Sequence, residues 1–125
     1  MENVNCDVII GNLGSKEGVL DSLSKLDKVA GLRVGIGSGS VCTTTQITRA
    51  GSPTIYAVAV ARECLEELGM DIPIIADGGI RNAGDIAIAI AFGASCAMMG
   101  YMFAACKESP APLMMIGGRY YKLHR

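Results

Sequence analysis

Short apolar runs alternate with longer amphipathic stretches along the chain, and this alternation predicts repeated β-strand and α-helix units. The runs predicted to be strands are residues 6–10, 32–36, 73–76 and 95–99. They are almost continuously apolar, which is typical of strands in a parallel sheet with both faces covered. The pattern therefore predicts four consecutive β-α units in an α/β protein.

The stretches between the strands carry helix signals. Ser15, Ser52 and Asn82 each stand just before a stretch with helical spacing of apolar residues, so we predict that they are N-caps. Gly69 and Gly93 follow the second and third stretches, where glycine commonly ends a helix. The third stretch is almost wholly apolar, which predicts a helix that is buried on most sides.

The strand ends indicate a particular kind of α/β fold. Each predicted strand ends in a turn that contains glycine, asparagine or aspartate, and β/α barrels place their functional groups at this end of the strands. Residues 113–123, with two glycines in the middle, predict a C-terminal hairpin. We therefore predict that residues 1–125 form one domain, a partial TIM (β/α)8 barrel. An open half-barrel has bare strand edges, so we expect either a fragment of a longer chain or a half completed by a second copy.

Composition and charge exclude several functions. The chain has 125 residues, of which 50% are hydrophobic and 18% are charged, and its net charge is -1. This composition predicts a globular protein, and without a basic patch we expect no nucleic-acid partner. Residues 86–106 carry no charge and could span a bilayer, but glycines divide the segment. We therefore expect buried α/β elements there and no membrane partner.

The cysteines and the histidine limit the possible chemistry. The five cysteines are odd in number and lack CxxC spacing, which favours reduced thiols and a cytoplasmic location over a disulfide framework. The first residues also lack the pattern of a signal peptide. Cys64 and Cys96 lie in apolar stretches and are predicted core thiols. A single histidine, His124, leaves little for a metal cluster or a Ser-His-Asp triad.

The segment after the second strand carries the strongest chemical signal. Residues 35–44 read GIGSGSVCTT, so a glycine-rich loop ends on one cysteine flanked by hydroxyl residues. Glycines allow tight turns and close approach to a ligand, and Cys42 at such a turn is suited to nucleophilic work. This loop is not the dinucleotide-binding fingerprint, because Ser40 or Cys42 stands where the third glycine would be.

A second signal is Asp77-Gly78-Gly79, at the end of the third strand. A carboxylate at this position can accept hydrogen bonds from two sugar hydroxyls, while neighbouring backbone amides hold a phosphate. The alternative is a tight turn in which Asp77 caps a helix. Asn12 follows the first predicted strand and Arg33 lies within the second, and their ordinary interpretations are a turn asparagine and an arginine paired across strand ends.

These segments resemble the IMP dehydrogenase/GMP reductase family, and the resemblance covers essentially the whole chain. On the family's side it covers only the C-terminal half of the catalytic barrel. The matching segments are GLRVGIGSGSVCTT (residues 31–44), IADGGI (75–80), AMMG (97–100), KESP (107–110) and YKLHR (121–125).

The resemblance implies roles for individual residues. Cys42 would be the nucleophile that attacks C2 of a purine nucleotide, and Thr44 would help position the incoming water or the departing ammonia. Asp77 would bind the ribose hydroxyls. The residues implied at the 5′-phosphate are Ser40, Gly79, Gly100 and the amide of Tyr101, and Met98 would lie near the base. The family usually has serine or glycine where this chain has Tyr101, so a small hydroxyl donor is missing at that corner.

The resemblance also implies cofactors. The dehydrogenase uses NAD and the reductase uses NADPH, and Asn12 and Arg33 match positions near the nicotinamide and the catalytic loop. The main-chain carbonyls of Gly37, Gly39 and Cys42 match positions that bind a monovalent cation, K⁺, in the family.

The function that we expect from the resemblance is IMP dehydrogenase: NAD-dependent oxidation of IMP to XMP in guanine nucleotide synthesis. GMP reductase is the alternative, and Ala76, Ile80 and the Gly37-Ser38-Gly39 run favour the dehydrogenase. A non-catalytic phosphate-binding half-barrel and a flavin-binding barrel are further alternatives, although a flavin barrel does not explain the cysteine loop. Expected partners are a purine nucleotide monophosphate and either further copies of the chain or a missing N-terminal half-barrel. The family's first four strands and mobile flap are not found in this sequence, so we expect no meaningful turnover by this chain alone.

Overall fold

The computed structural model of the chain describes residues 5–39 and 42–122, except the side chain of Thr44. Strands and helices alternate along it, and a hairpin follows. In chain order the elements are β1 (Ile9–Leu13), α1 (Lys16–Lys25), β2 (Gly31–Val34), α2 (Thr44–Thr48), α3 (Thr54–Glu67), β3 (Ile74–Asp77), α4 (Ala83–Ala91), β4 (Cys96–Met98), α5 (Tyr101–Ala104), β5 (Leu113–Ile116) and β6 (Arg119–Lys122).

Strands β1 to β4 form one parallel sheet, and their order in space is their order in the chain. Helix α1 contacts α3, and α3 contacts α4, so the three long helices lie side by side. Such singly wound units are the building blocks of a β/α barrel. The predicted α/β fold with four β-α units and a C-terminal hairpin is confirmed, although the short helices α2 and α5 were not predicted.

The first strand lies further along the chain than the predicted 6–10. It pairs with β2 from Ile9 opposite Gly31 to Leu13 opposite Val34, with an irregular register between Gly11 and Leu13. A Cβ on Gly11 would lie 2.5 Å from the carbonyl oxygen of Arg33, so the two backbones approach closely there. The prediction that Gly11 and Asn12 end the strand was wrong, because pairing with β2 continues through them.

Two of the three predicted helix caps are confirmed. Ser15 Oγ accepts a hydrogen bond from the Gly18 amide at 3.2 Å, and Asn82 forms a capping box with Asp85. Ser52 does not cap α3, because its amide donates to the Ile36 carbonyl at 2.9 Å and its hydroxyl is buried without a hydrogen-bond partner among the described residues. Helix α3 instead begins at Thr54.

The core lies between the two central strands and α3. Its largest fully buried side chains include Leu32, Val34 and Ile74 from the sheet and Val58 and Leu65 from α3. Burying each such side chain stabilises the fold by about 1.5–3 kcal/mol. The sheet and α3 therefore form the most stable part of the described chain, and the site described below lies at one end of it.

Two burial predictions were wrong. In α4 the buried side chain is that of Ala89, whereas Ile88 and Ile90 are about half exposed. Cys96 is exposed because β4 is an edge strand of the described sheet. Cys64 is buried as predicted, and residues 86–106 are divided among α4, β4 and α5.

The side chain of Lys122 links the hairpin to the preceding loop. Strands β5 and β6 are antiparallel, and the ammonium group of Lys122 donates to the carbonyls of Cys106, Lys107 and Ser109. Across the parts of the chain that the structure describes, no helix combines the length and the apolar character needed to cross a bilayer.

Truncating the core side chain of α3 should destabilise the fold strongly. We expect Leu65→Ala to lower the free energy of unfolding by about 2–5 kcal/mol, because it leaves a cavity at a fully buried position. Leu68→Ala is the matched control: Leu68 follows the same helix and is 47% exposed. Urea denaturation measures both variants, and equal losses would contradict this description of the core.

Candidate functional site

The carboxyl ends of β1 to β4 meet at one edge of the sheet, and two adjoining cavities open there. Both cavities are lined by Gly39, Asp77 and Gly78. The first, of about 390 Å³, is also lined by Asn12, Arg33, Gly37 and Cys42. The second, of about 300 Å³, is also lined by Gly79, Met98, Gly100 and Tyr101. Most of the residues singled out from the sequence are therefore brought together.

Asp77, the last residue of β3, is held in place by side chains from β1 and β2. Its Oδ2 accepts a hydrogen bond from Asn12 Nδ2 at 2.7 Å and contacts the Arg33 guanidinium at 2.9 and 3.1 Å. The Asn12 amide group also donates to the Gly35 carbonyl at 2.8 Å. No described residue donates to the other carboxylate oxygen, Oδ1. The carboxylate is thus oriented through one oxygen, Oδ2.

Arg33 therefore pairs across strand ends, as one alternative supposed, and it does so at the mouth of the cavity. The two side chains are 42% and 20% exposed, so the ion pair is only partly shielded from water. Partly exposed pairs contribute about 1 kcal/mol or less to stability. The main effect of Arg33 and Asn12 on Asp77 is accordingly to fix its orientation.

The cysteine loop depends on a glycine at position 37, which no other residue could replace without strain. Gly37 has φ of +80°, and a Cβ there would lie 1.5 Å from Thr45 Oγ1. The loop then turns through a hydrogen bond from the Cys42 amide to the Gly39 carbonyl at 3.0 Å. Cys42 is partly exposed and lines the same cavity as Asp77. Cys42 and Asp77 therefore border a common space.

The turn after β3 packs against this loop. Gly78 and Gly79 have φ of +86° and +76°. A Cβ on Gly78 would lie 2.7 Å from Ser38 Oγ and 2.9 Å from the Gly39 amide nitrogen. Glycine at position 78 is therefore required both by the backbone conformation and by the close approach of the two loops.

Sequence reasoning missed two hydroxyl residues at this junction, Ser38 and Thr54. Their side-chain oxygens lie 2.6 Å apart, and Thr54 Oγ1 lies 2.9 Å from the Gly78 carbonyl. The Ser52-Pro53 pair marked the start of α3, but Thr54 occupies the first helical position. A hydroxyl directly after a first-turn proline was the only local signal, and nothing in the sequence indicated that it reaches the turn after β3.

Two predicted site positions are not fully described. Ser40 lies outside the described residues, and the side chain of Thr44, the first residue of α2, is also outside them. Gly100 stands at the N-cap of α5 and Tyr101 is the first residue of that helix. Met99 also lines the second cavity, beside Met98.

The five thiols occupy distinct environments. Cys64 is fully buried in α3, and this burial raises the pKa of its thiol above the usual value. Cys6, Cys96 and Cys106 are exposed, and Cys42 is intermediate. Because alkylation requires access and the thiolate form, Cys64 should be the slowest to react. The described residues contain no group of three or more His, Cys, Asp or Glu side chains that could hold a metal ion.

Comparison with known proteins gives a consistent assignment. A family model described as IMP dehydrogenase / GMP reductase domain matches residues 1–125. The chain is 48% identical over 125 residues to an inosine-5'-monophosphate dehydrogenase of Korarchaeum cryptofilum, covering 100% of the chain and 26% of that protein. It is 44% identical over 124 residues to the protein of that name from Thermoplasma acidophilum, covering 99% of the chain and 25% of that protein. It is 46% identical over 121 residues to the one from Haemophilus influenzae, covering 97% of the chain and 24% of that protein. The chain spans about a quarter of the length of these relatives.

Gly37→Ala should damage the cysteine loop specifically. A side chain at φ of +80° that also collides with Thr45 Oγ1 should lower the free energy of unfolding by about 1–3 kcal/mol. Gly39→Ala is the control, because its Cβ would make only an ordinary contact with Cys42 at 3.5 Å, and it should cost less than about 1 kcal/mol. Urea unfolding of both variants provides the comparison. An unchanged stability for Gly37→Ala would show that the loop is not packed as described.

Proposed function

We propose that this chain, which belongs to the IMP dehydrogenase / GMP reductase domain family, supplies the cysteine loop and the nucleotide-binding turns of an IMP dehydrogenase. Its fold is part of the family's TIM barrel, with four parallel strands and their helices. The single observation that carries the proposal is that Cys42 and an oriented Asp77 line one cavity at the carboxyl ends of these strands.

The proposed reaction begins at Cys42. The thiolate adds to C2 of IMP, so that a sulfur–carbon bond forms and the hydrogen on C2 leaves as a hydride with its electron pair. NAD, held beside Asn12 and Arg33, would supply the hydride acceptor for this step. Water then attacks the resulting thioimidate, the sulfur–carbon bond breaks, and XMP and the free thiol are released. Thr44 is proposed to help position this water.

The turns around the cavities are suited to bind the rest of the nucleotide. Asp77 Oδ1, which no described residue donates to, is proposed to accept hydrogen bonds from the ribose hydroxyls. The second cavity begins beside it, and its backbone is proposed to hold the 5′-phosphate. The residues proposed there are Ser40, Gly79, Gly100 and Tyr101, with Met98 against the base. Tyr101 can contribute its backbone amide, which does not depend on the identity of its side chain.

Asn12 and Arg33 have hydrogen-bonding groups that are suited to bind the carboxamide of a nicotinamide. Both donor positions of the Asn12 amide group are taken, by Asp77 and Gly35, which leaves its Oδ1 as an acceptor for a carboxamide. Arg33 has five N–H groups, and among the described residues its side chain pairs with Asp77 alone, so donors remain. These residues are therefore proposed to orient the cofactor's carboxamide as well as Asp77.

The cysteine loop also fits a monovalent cation. The proposed ligands are the main-chain carbonyls of Gly37, Gly39 and Cys42, which are neutral oxygens of the kind that replace the hydration shell of K⁺. Beside Gly37, the buried Thr45 hydroxyl has no hydrogen-bond partner among the described residues. An unsatisfied oxygen at this position is what a cation in the loop would explain.

The partners of this half-barrel are proposed from its sheet. Strands β1 and β4 each pair with one neighbour in the described sheet, which leaves two edges that a second set of strands can join. We propose that residues 1–125 form the C-terminal half of the barrel and that an N-terminal half-barrel or further copies of the chain complete it. The free thiols suit the cytoplasm as the proposed location.

The nucleotide should protect Cys42 from alkylation. We expect iodoacetamide to modify Cys42 in the 125-residue chain, and IMP to slow this reaction without affecting the exposed Cys96 and Cys106. In Asp77→Ala the IMP concentration that gives half-protection should rise by about ten-fold or more, because hydrogen bonds to a charged group are lost. Peptide mass spectrometry measures the rate at each cysteine. A Cys42 that IMP does not protect would contradict the proposed nucleotide site.

GMP reductase remains the alternative activity, because the family model covers both enzymes, although the relatives named above are dehydrogenases. Stronger protection of Cys42 by GMP than by IMP would favour the reductase. For the chain alone we predict no IMP-dependent NADH formation, since the proposed site needs groups from the rest of the barrel. An absorbance assay with IMP and NAD tests this, and sustained NADH production would refute the prediction.

A further inference from the structure

Among the described polar residues, Thr54 is the only one that is buried as a whole residue, with an exposed fraction of 7%. It stands at the first position of α3, next to neither Cys42 nor Asp77 in the sequence. Burying a hydroxyl costs free energy unless it is hydrogen-bonded, so a buried threonine at a helix start needs a structural reason. Its contacts provide one.

The hydroxyl of Thr54 lies where three segments of the site meet. Thr54 Oγ1 is 2.6 Å from Ser38 Oγ in the cysteine loop, and 2.9 Å and 3.2 Å from the carbonyl oxygens of Gly78 and Asp77. Gly35, which follows β2, is also close: a Cβ on Gly35 would lie 3.2 Å from Thr54 Oγ1. One side chain of α3 therefore contacts the loops that follow both β2 and β3.

The hydroxyls of Ser38 and Thr54 can each donate one hydrogen bond, so only certain combinations of donor and acceptor are possible. The shortest contacts are satisfied when Ser38 donates to Thr54 Oγ1 and Thr54 donates to the Gly78 carbonyl. The opposite order would have Thr54 donate to Ser38, and Ser38 would reach only the Asp77 carbonyl at 3.4 Å. The first order is favoured by its distances. It makes a chain of hydrogen bonds from the cysteine loop to the turn after β3.

This chain of hydrogen bonds fixes the orientation of a backbone amide. The Gly78 carbonyl and the Gly79 N–H belong to one planar trans peptide, so they point in opposite directions. When Thr54 holds the carbonyl on the side of α3, the Gly79 N–H is directed away from α3. Gly78 has no side chain to limit rotation of this peptide, and its φ is +86°. Without Thr54, the peptide can rotate more freely.

We propose that Thr54 and Ser38 are positioning residues that orient the Gly79 amide toward the nucleotide phosphate and couple this turn to the cysteine loop. The assignment of the phosphate to Gly79 rests on the proposed function above. The coupling of the two loops does not, because it follows from contacts within the chain. Neither residue touches the reacting atoms, and each acts through backbone that does.

The first test needs no ligand. In Thr54→Val, which keeps the shape of the side chain and removes the hydroxyl, we expect Cys42 to react with iodoacetamide about three-fold or more faster, because the loop loses a tether. Thr54→Ser should restore the rate to about that of the unchanged chain, since it restores the hydroxyl. Ser24→Ala, which removes an exposed hydroxyl in α1, is the control and should change nothing.

The buried Cys64 reports whether a variant is folded. If Thr54→Val unfolds the chain, Cys64 will react as well, and Ser38→Ala then serves as the second variant because Ser38 is less buried. In a folded variant Cys64 stays unreactive and the exposed Cys96 and Cys106 react at unchanged rates. An unchanged Cys42 rate in folded Thr54→Val and in Ser38→Ala would overturn the coupling of the loops.

The second test separates the phosphate from the rest of the nucleotide. We expect Thr54→Val to raise the IMP concentration for half-protection of Cys42 by about five-fold, the size expected for one misdirected hydrogen bond. Protection by inosine, which lacks the phosphate, should be unchanged, and Thr54→Ser should again restore the effect of IMP. A purely structural role would weaken IMP and inosine equally, and this result would overturn the assignment to the Gly79 amide. If IMP does not protect Cys42 in the unchanged chain, the proposed function is refuted. The coupling of the two loops is still tested, because that test uses the alkylation rates of Cys42 without any ligand.

Discussion

The site depends on the way three strand ends are joined at one carboxylate. Asp77 at the end of β3 receives Asn12 from β1 and Arg33 from β2, all on Oδ2. Because the pair with Arg33 is partly exposed, its contribution to stability is about 1 kcal/mol or less. Its larger consequence is geometric, since a carboxylate held through one oxygen presents the other in a fixed direction. The proposed binding of ribose requires that fixed direction.

A second constraint is the close packing of two glycine-rich turns. Gly78 approaches Ser38 and the Gly39 amide so closely that a side chain would not fit. A displacement of either turn is therefore transmitted to the other, because interiors at this density do not deform freely. The Ser38–Thr54 pair adds directional hydrogen bonds to this contact. These contacts support the proposal that the cysteine loop and the turn after β3 are coupled.

Sequence reasoning predicted the order of the four β-α units and the hairpin, and most of the residues that it singled out line the two cavities. The turns that hold Asn12 and Asp77 could be expected to lie at the same edge, because parallel strands bring their carboxyl ends together there. Reasoning failed where pairing between distant segments decides the result. The continuation of β1 past Gly11 depends on its approach to Arg33, and the burial of Thr54 depends on the turn after β3. Neither contact leaves a local pattern.

The exposure of predicted core residues has a similar cause. Cys96 and Ile88 have apolar surroundings in the sequence, but in the described sheet β4 has a neighbour on one side only. The periodicity of apolar residues indicates which side chains are expected to be buried, but it does not identify the segment that packs against them. Exposed apolar side chains on α4 and at the sheet edge are accordingly compatible with the half-barrel predicted from the sequence.

The most direct test of the central claim is a covalent adduct between Cys42 and the purine ring. With the 5′-monophosphate of 2-chloroinosine, the thiolate should add at C2 and chloride should leave, so that a stable thioether forms on Cys42 alone. Peptide mass spectrometry should then show that the peptide containing Cys42 has gained the mass of the nucleotide minus that of hydrogen chloride. The adduct should form more slowly with 2-chloroinosine, which lacks the 5′-phosphate. Equal labelling of Cys96 and Cys106, or no adduct on Cys42, would contradict the proposal that this thiol is the nucleophile.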